Sequence, residues 1–354
     1  LLCVPFIFTA KKIKNGRSPK GAFIGNLCTF AGIMLCALIV PVGNFVSAAS
    51  EEGVKAALST GAGLGYLVMG ELIYEAVLNI KVNDAINKTG LFDKPEEKEF
   101  YDNCKVYQDS LKWFDSLGIA DTVIPSRIGK DTKAKVILAD EETGKWAIVI
   151  HGYTGSPRRM GSFGKRFHEM GYNCLFPYLC GHGASESNYV TMGWNDRIDI
   201  KAWIDYIINE NANAKIVLFG LSMGAATVMM TTGEPLESNV VCAIEDCGYT
   251  SVWDECRANM KDAYGLPTFP FLSAARSATM LRAGYDMKKA SCIEQVSRSV
   301  TPTLFIHGDK DDFVPFWMQE RVYRAAACDK EKLVIPGAPH AEASIVDPEK
   351  YWST

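Results

Sequence analysis

The chain lacks a P-loop, a dinucleotide-binding fingerprint and any internal repeat. Phosphate cradling, nicotinamide chemistry on a Rossmann unit and solenoid architecture are therefore not indicated. Its eleven cysteines contain no C-x-x-C pair and no zinc spacing. Neither a structural metal nor a cofactor is expected. Cys242, Cys247 and Cys256 lie close enough for a disulfide, but none is predicted. Many unpaired thiols favour a reducing compartment, in tension with an exported domain. No large excess of one charge exists either: 37 Lys and Arg face 41 Asp and Glu, for a net charge of −4. Residues 1–70 carry +4, which leaves −8 for residues 71–354. An acidic body argues against nucleic acid as a partner. With 48% hydrophobic and 22% charged residues, the composition is that of a globular protein.

One stretch has no charge at all. Ala22 to Val46 runs for about 25 uncharged residues behind Lys11, Lys12, Lys14, Arg17 and Lys20. That length spans a bilayer, and the basic flank assigns the N-terminal side to the cytoplasm. Val46-Ser47-Ala48-Ala49 reads alternatively as a signal-peptidase site. A second uncharged stretch, Ala56 to Gly70, is only 15 residues long. It reads as a second span, a membrane-surface helix or a stalk, and Gly61-Ala62-Gly63-Leu64-Gly65 permits close helix packing. The chain begins Leu1-Leu2-Cys3 and is expected to be a fragment.

Gly220-Leu221-Ser222-Met223-Gly224 carries the chemistry. Before it, Lys215 to Phe219 reads as a buried strand; after it, Ala225 to Met230 reads as a buried helix. Strand, G-x-S-x-G, helix is the context of a nucleophile elbow. The serine needs a base, a group to orient the base, and donors for a developing oxyanion. Five histidines are available. His168 lies in an amphipathic helical pattern. His151, His182 and His307 each precede a glycine and suit loop bracing at strand ends. His340 follows the strand Lys332 to Ile335 on a loop and is the candidate base. For the acid, Asp309, Asp311 and Asp312 compete in the loop after Thr303 to Ile306, with Asp246 as an outside candidate. The oxyanion donors are expected from the backbone N–H of Met223 and of Tyr153. Tyr153 stands in His151-Gly152-Tyr153-Thr154-Gly155, the loop after the apolar strand Trp146 to Ile150.

Together these pieces resemble the α/β-hydrolase superfamily. The residues that carry the likeness are His151 to Gly155, Gly181-His182-Gly183-Ala184-Ser185, Gly220 to Gly224, His307-Gly308 with Asp311 and Val314-Pro315, and His340. Within it the chain looks like bacterial serine hydrolases of the monoacylglycerol-lipase-like and serine-aminopeptidase-like branch. Thr191 to Arg197 with Asp199 is similar to a subset that often carries an N-terminal membrane segment. The resemblance covers residues 75–354 and implies Asp311 as the acid, because the family's acid stands three residues after the His-Gly glycine and three before Val-Pro. Cys180 departs from the arginine that many relatives carry before Gly-His-Gly.

The expected fold is α/β: a mainly parallel sheet with helices on both faces and a small helical cap, preceded by apolar N-terminal helices. Strands are expected at 133–139, 146–150, 172–177, 215–219, 240–245, 302–306 and 332–335. Helices are expected at 158–170, 197–210, 223–232 and 317–328, with a last one after 341. Asp196, Asp199 and Asp205 read as solvated or capping. Residues 1–74 form the membrane segment and stalk, and 75–354 the hydrolase domain. Residues 250–300 form a cap that either lines an acyl pocket or is a satellite core. The function implied is a serine hydrolase acting on carboxylic esters through Ser222, His340 and Asp311, with Tyr153 and Met223 as the oxyanion hole. A peptidase or thioesterase with the same residues, or a non-catalytic membrane-anchored binding protein, are the alternatives. The expected partners are a small ester or acyl substrate and the bilayer, with the catalytic domain anchored outside the cytoplasm.

Overall fold

A computed structural model of the chain describes residues 51–79, 82, 101–129, 131–264 and 267–354. The chain divides into two compact units, Leu1–Lys94 with Asn259–Asp286, and Pro95–Ala258 with Met287–Thr354.

The second unit is built on eight strands in the order β1-β2-β4-β3-β5-β6-β7-β8. They are β1 Asp121–Ile124, β2 Thr132–Ile137, β3 Lys145–Ile150, β4 Asn173–Pro177, β5 Lys215–Leu221, β6 Val240–Asp246, β7 Thr303–Gly308 and β8 Lys330–Ile335. β1 and β2 are antiparallel to their neighbours, and the other pairs are parallel. Parallel strands are covered on both faces, so they read as unbroken apolar runs. In β3, Trp146 to Ile150 are all buried, and so are Ile216 to Gly220 of β5. Alternate residues Ala147, Val149, Val217 and Phe219 join Phe163, Phe167 and Tyr351 in one core cluster. Ile148, Ile150 and Leu218, which point the other way, are equally buried.

The helices of this unit within the region of the expected elements are α3 Gly161–Glu169, α4 Asp196–Glu210, α5 Met223–Thr232 and α9 Trp317–Ala325. The expected helix 158–170 starts instead as a 3-10 turn, Pro157–Met160. The last helix is two, α10 Ala343–Val346 and α11 Pro348–Ser353, because Pro348 lacks an N–H and Asp347 caps the second piece through Lys350 N–H. Three elements had no counterpart in the sequence reading: β1, α2 Lys105–Ser116 and α8 Cys292–Val296. α2 buries Phe114, which meets Phe176 of β4 edge-on at 5.4 Å.

In the first unit, α1 runs Glu51–Leu78 and α7 runs Ser273–Arg282 after a kinked turn, Thr268–Leu272, in which Phe269 is extended. A Cβ on Gly70 would collide with the Ala274 carbonyl, so this glycine sets how closely α1 and α7 approach. Arg282 pairs with Glu71 at 3.2 Å and Glu75 at 3.4 Å, and Arg276 grips Asp286 with two bonds of 2.6 Å. Gly63 and Gly65 have no described atom within 4 Å of an added Cβ. Among the described residues no helix is long and apolar enough to cross a membrane. Ala56–Gly70 is not a span of its own but part of α1, whose sequence carries Glu51, Glu52, Lys55, Glu71 and Glu75. The expected span Ala22–Val46 lies outside the described residues. Within residues 250–300, 259–286 group with the N-terminal unit, whereas 250–258 and 287–300 group with the sheet. The helix α6, Val252–Tyr264, crosses that division along the chain. Leu272, Tyr285 and Met287 are buried, but Phe269 and Leu281 are about three-quarters exposed, at 73% and 76%.

β6 ends in two acids with no access to water. Glu245 accepts a bond from Gly248 N–H at 3.0 Å, and Asp246 accepts one from Tyr351 Oη–H at 2.9 Å. Burial pushes Glu245 up to about 8 and Asp246 up to about 6. Both native values lie above the ordinary carboxylate range, so the folded state holds extra protons. The stability these groups contribute is present at low pH and is lost as pH rises through about 6 and then about 8. Denaturant titrations should show a shallower loss between pH 6 and 8 in Glu245→Gln than in the wild type; parallel curves would contradict this. Tyr351→Phe removes the donor to Asp246 and should cost about 1–3 kcal/mol at neutral pH, measured by urea unfolding.

Candidate active site

The elbow is built by close approach. A Cβ on Gly220 would run into the carbonyl of Gly224, and one on Gly224 into the carbonyl of Ile150. With neither present, α5 lies against the ends of β3 and β5. Ser222 occupies the turn between them at φ 57°, ψ −116°, a region that disfavours side chains other than glycine. Its N–H donates to Asp246 O at 2.8 Å, which holds the strained residue in place. The helix behind it is buried from Met223 to Thr232, so it cannot swing away without exposing apolar surface.

The sheet order reverses between β4-β3 and β5-β6, so the carboxyl ends of β3 and β5 open a crevice at a topological switch point. Ser222 stands there. His340 arrives on the loop after β8, and Asp311 on the loop after β7. His340 Nε2 is 2.9 Å from Ser222 Oγ, and its Nδ1 is 2.7 Å from Asp311 Oδ2. These bonds assign the proton to Nδ1 and leave Nε2 to accept from the serine hydroxyl. The structure thus brings together the three residues the sequence singled out, in one hydrogen-bonded chain.

Asp311 is held on both oxygens. Oδ1 accepts from Phe313 N–H at 3.0 Å and Val314 N–H at 2.8 Å. Oδ2 accepts from His340 and also from His307 Nε2 at 3.2 Å. Burial alone would raise its pKa, but the two histidines, by bond and by charge, bring it down to about 2. The rival acids are occupied elsewhere. Asp309 accepts from Gly337 N–H at 2.7 Å, Asp312 faces solvent, and Asp246 takes the Tyr351 hydroxyl.

Two donors were expected for an oxyanion. Met223 is the first residue of α5, so its N–H has no intrahelical carbonyl to meet. Tyr153 sits in the turn closed by Gly155 N–H to Gly152 O at 3.0 Å. A Cβ on Gly152 would lie 3.3 Å from Ser222 Cβ, which fixes how near this turn comes to the serine. Two imidazoles brace it. His151 Nδ1 donates to Gly152 O at 2.8 Å, and its Nε2 accepts from Leu179 N–H at 3.3 Å. His182 Nδ1 donates to Cys180 O at 2.9 Å, and its Nε2 accepts from Thr154 N–H at 3.1 Å. Burial, with some repulsion from His182, drives His151 down to about 3, so it stays a neutral brace.

Asp196 corrects the reading of it as solvated or capping. It is buried and accepts from Cys180 N–H at 2.6 Å, Thr191 Oγ at 2.6 Å and Gly193 N–H at 3.0 Å. One carboxylate thereby ties the Gly181-His182-Gly183 loop to the start of α4. Asp199 and Asp205 instead meet Ser126 and Arg127. Four further groups near the site were not anticipated there: Glu245, Tyr351, Cys247 and the bond from His307 to Asp311. Cys247, at φ 54°, places its sulfur with Asp311 and His340 within a 4.8 Å cluster. Burial and the neighbouring carboxylates raise its thiol well above the ordinary range, which disfavours the thiolate a metal would need.

Residues 142–244 match the family described as Serine aminopeptidase, S33. Uncharacterized protein YqkD of Bacillus subtilis is 26% identical over 247 residues, covering 70% of this chain and 81% of that protein. The esterase Pf2001 of Pyrococcus furiosus superposes with a TM-score of 0.54 at 22% identity, covering 68% of this chain and 90% of that chain. The α/β hydrolase GrgF from Penicillium sp. sh18 superposes with a TM-score of 0.51 at 16% identity, covering 66% and 95%. The likeness to these solved structures shows that the chain has the α/β-hydrolase fold.

Proposed function

We propose that the protein is a serine hydrolase that cleaves carboxylic esters through an acyl-enzyme. The observation that carries this reading is the unbroken chain from Ser222 Oγ through His340 to Asp311. Ser222 attacks the acyl carbonyl while His340 Nε2 takes its proton. Asp311 keeps the proton on Nδ1 and stabilises the imidazolium that forms. The negative oxygen of the tetrahedral intermediate is met by the N–H groups of Met223 and Tyr153. The N-terminal end of α5 adds its partial positive charge at the same point. One such donor contributes about 3–4 kcal/mol to the transition state. His340 then delivers its proton to the leaving alcohol. Water, deprotonated by the same imidazole, releases the acid.

The match of residues 142–244 to a serine aminopeptidase family favours a second reading, the same residues acting on an amide. An amine leaves less readily than an alcohol, so protonation by His340 matters more on that substrate. Hydrolysis of p-nitrophenyl esters measured beside aminoacyl amides separates the two. On the sequence alone, the proposal keeps Ala22–Val46 as a bilayer anchor with the catalytic unit outside the cytoplasm; activity-based labelling of membrane and soluble fractions tests that placement.

A fluorophosphonate should label the wild type on Ser222 and leave Ser222→Ala unlabelled. Labelling that persists in Ser222→Ala would refute the assignment. Asp311→Asn should retain the fold but lower turnover by about 10⁴-fold, because the amide favours the wrong tautomer of His340. Full turnover in that variant would move the acid role to Asp246, Asp309 or Asp312.

A further inference from the structure

The carboxylate of Asp311 serves two imidazoles. His307 lies on β7, and its side chain, like that of Asp311, is wholly excluded from solvent. Its Nε2 is 3.0 Å from Val314 O and 3.2 Å from Asp311 Oδ2. Both neighbours are acceptors, so Nε2 carries a proton. Val314 returns its own N–H to Asp311 Oδ1 at 2.8 Å, which closes a ring through His307, Asp311 and Val314. His307 Nδ1 and Glu245 Oε1 are both buried and have no partner within hydrogen-bond distance among the described residues. The charge of Glu245 acts on His307 across that gap.

Resting on the reading of Ser222, His340 and Asp311 as a catalytic triad, we propose that His307 is a positioning residue that shares Asp311 Oδ2 with His340. By drawing on that oxygen it weakens the carboxylate's hold on the His340 imidazolium, and this lowers the acid limb of Ser222 reactivity.

The sign follows from the acceptor. A carboxylate raises a histidine's pKa by stabilising its cation. A second N–H on the same oxygen disperses its negative charge and reduces that effect. Glu245 keeps this second donor in place. Burial alone would lower the pKa of His307, but Asp311, Glu245 and the Val314 carbonyl raise it, while burial raises Glu245 to about 8. The two groups titrate as a pair. As carboxylate and imidazolium, or as carboxylic acid and imidazole, the pair is net neutral and retains the proton on Nε2. The donor to Asp311 therefore persists in either protonation state of the pair. The other groups facing this cluster are Asp246 on β6, Cys247 beyond it and Tyr351 on α11. Asp246 and His340 interact through charge, so Asp246 acts on the limb in the opposite sense.

The test is the rate constant for fluorophosphonate labelling of Ser222 as a function of pH. In His307→Phe the acid limb should move up by about 0.5–1 pH unit. In His307→Gln, whose amide nitrogen reaches the place of Nε2, the limb should return towards that of the wild type. Asp246→Asn should move it down. A merely structural role for His307 would reduce the folded fraction and leave the limb in place. A limb unmoved or lowered in His307→Phe overturns the inference while labelling of the wild type upholds the triad. No labelling of wild-type Ser222 at any pH overturns both. If His307→Phe does not fold, nitrogen-15 spectra of wild-type histidines decide. They should show His307 protonated on Nε2 from about pH 5 to 9, and a bare Nε2 in that range sinks the proposal.

Discussion

The site depends on two backbones touching where a methyl group would not fit. Gly224 lies against the Ile150 carbonyl, and Gly220 against Gly224 itself. Through this contact α5 starts directly at the end of β5. Ser222 is forced to positive φ, its hydroxyl projects from the carboxyl edge of the sheet, and the Met223 N–H stays unpaired by the helix. The strain at Ser222, of order 1–3 kcal/mol, is tolerated because the surroundings over-determine the turn. Its N–H is bonded to Asp246 and every residue of α5 is buried. The strained serine is therefore a result of packing in the sheet and helix rather than a local preference of the turn.

Around that fixed point, charge is arranged by burial. Five ionisable side chains, Glu245, Asp246, His307, Asp311 and His340, come from the ends of two adjacent strands and the loops that follow β7 and β8. Water is nearly excluded from all but His340, so the protonation of the other four is set by their bonds rather than by solvent. Asp311, with four donors, is held well below the ordinary range at about 2. Glu245, with one backbone donor, is pushed up to about 8. The two acids lie in one cluster and differ because Asp311 was given more donors than Glu245. That contrast makes Asp311 the anion of the cluster and Glu245 the acid whose charge burial opposes.

Much of this was legible in the sequence, for a physical reason. Doubly covered parallel strands must be apolar throughout, so β3, β5 and β7 announce themselves as Trp146 to Ile150, Ile216 to Phe219 and Leu304 to Ile306. The glycines of the elbow were readable because only that residue allows the approach. Elements at the margin were not readable. β1 is a four-residue edge strand with alternate residues exposed, and Asp121-Thr122-Val123-Ile124 carries no periodicity long enough to weigh. The division within 250–300 was hidden too, since its Met and aromatic residues look alike whether they pack on the sheet or on α1. Asp196 was misjudged because its neighbours on α4 read as an amphipathic helix. Its partners, Cys180, Thr191 and Gly193, are backbone and hydroxyl groups on a loop whose path a residue pattern does not reveal.

The choice among Asp309, Asp311 and Asp312 shows where pattern ends and geometry begins. Spacing alone left three carboxylates within four residues, and the resemblance to a family singled out the middle one. The structure gives a local reason for that position. Asp311 can fold its Oδ1 back onto the N–H groups of Phe313 and Val314, two and three residues on, as aspartates in turns do. That bond turns Oδ2 toward His340 and His307. Asp309 stands two residues earlier, where its Oδ1 meets Gly337 N–H and tethers the loop after β8, on which His340 is carried. Asp312 has neither option and faces water. An orienting acid is thus recognised less by distance along the chain than by what engages its other oxygen, because a carboxylate with one oxygen already bonded to the backbone cannot rotate away from the imidazole it serves.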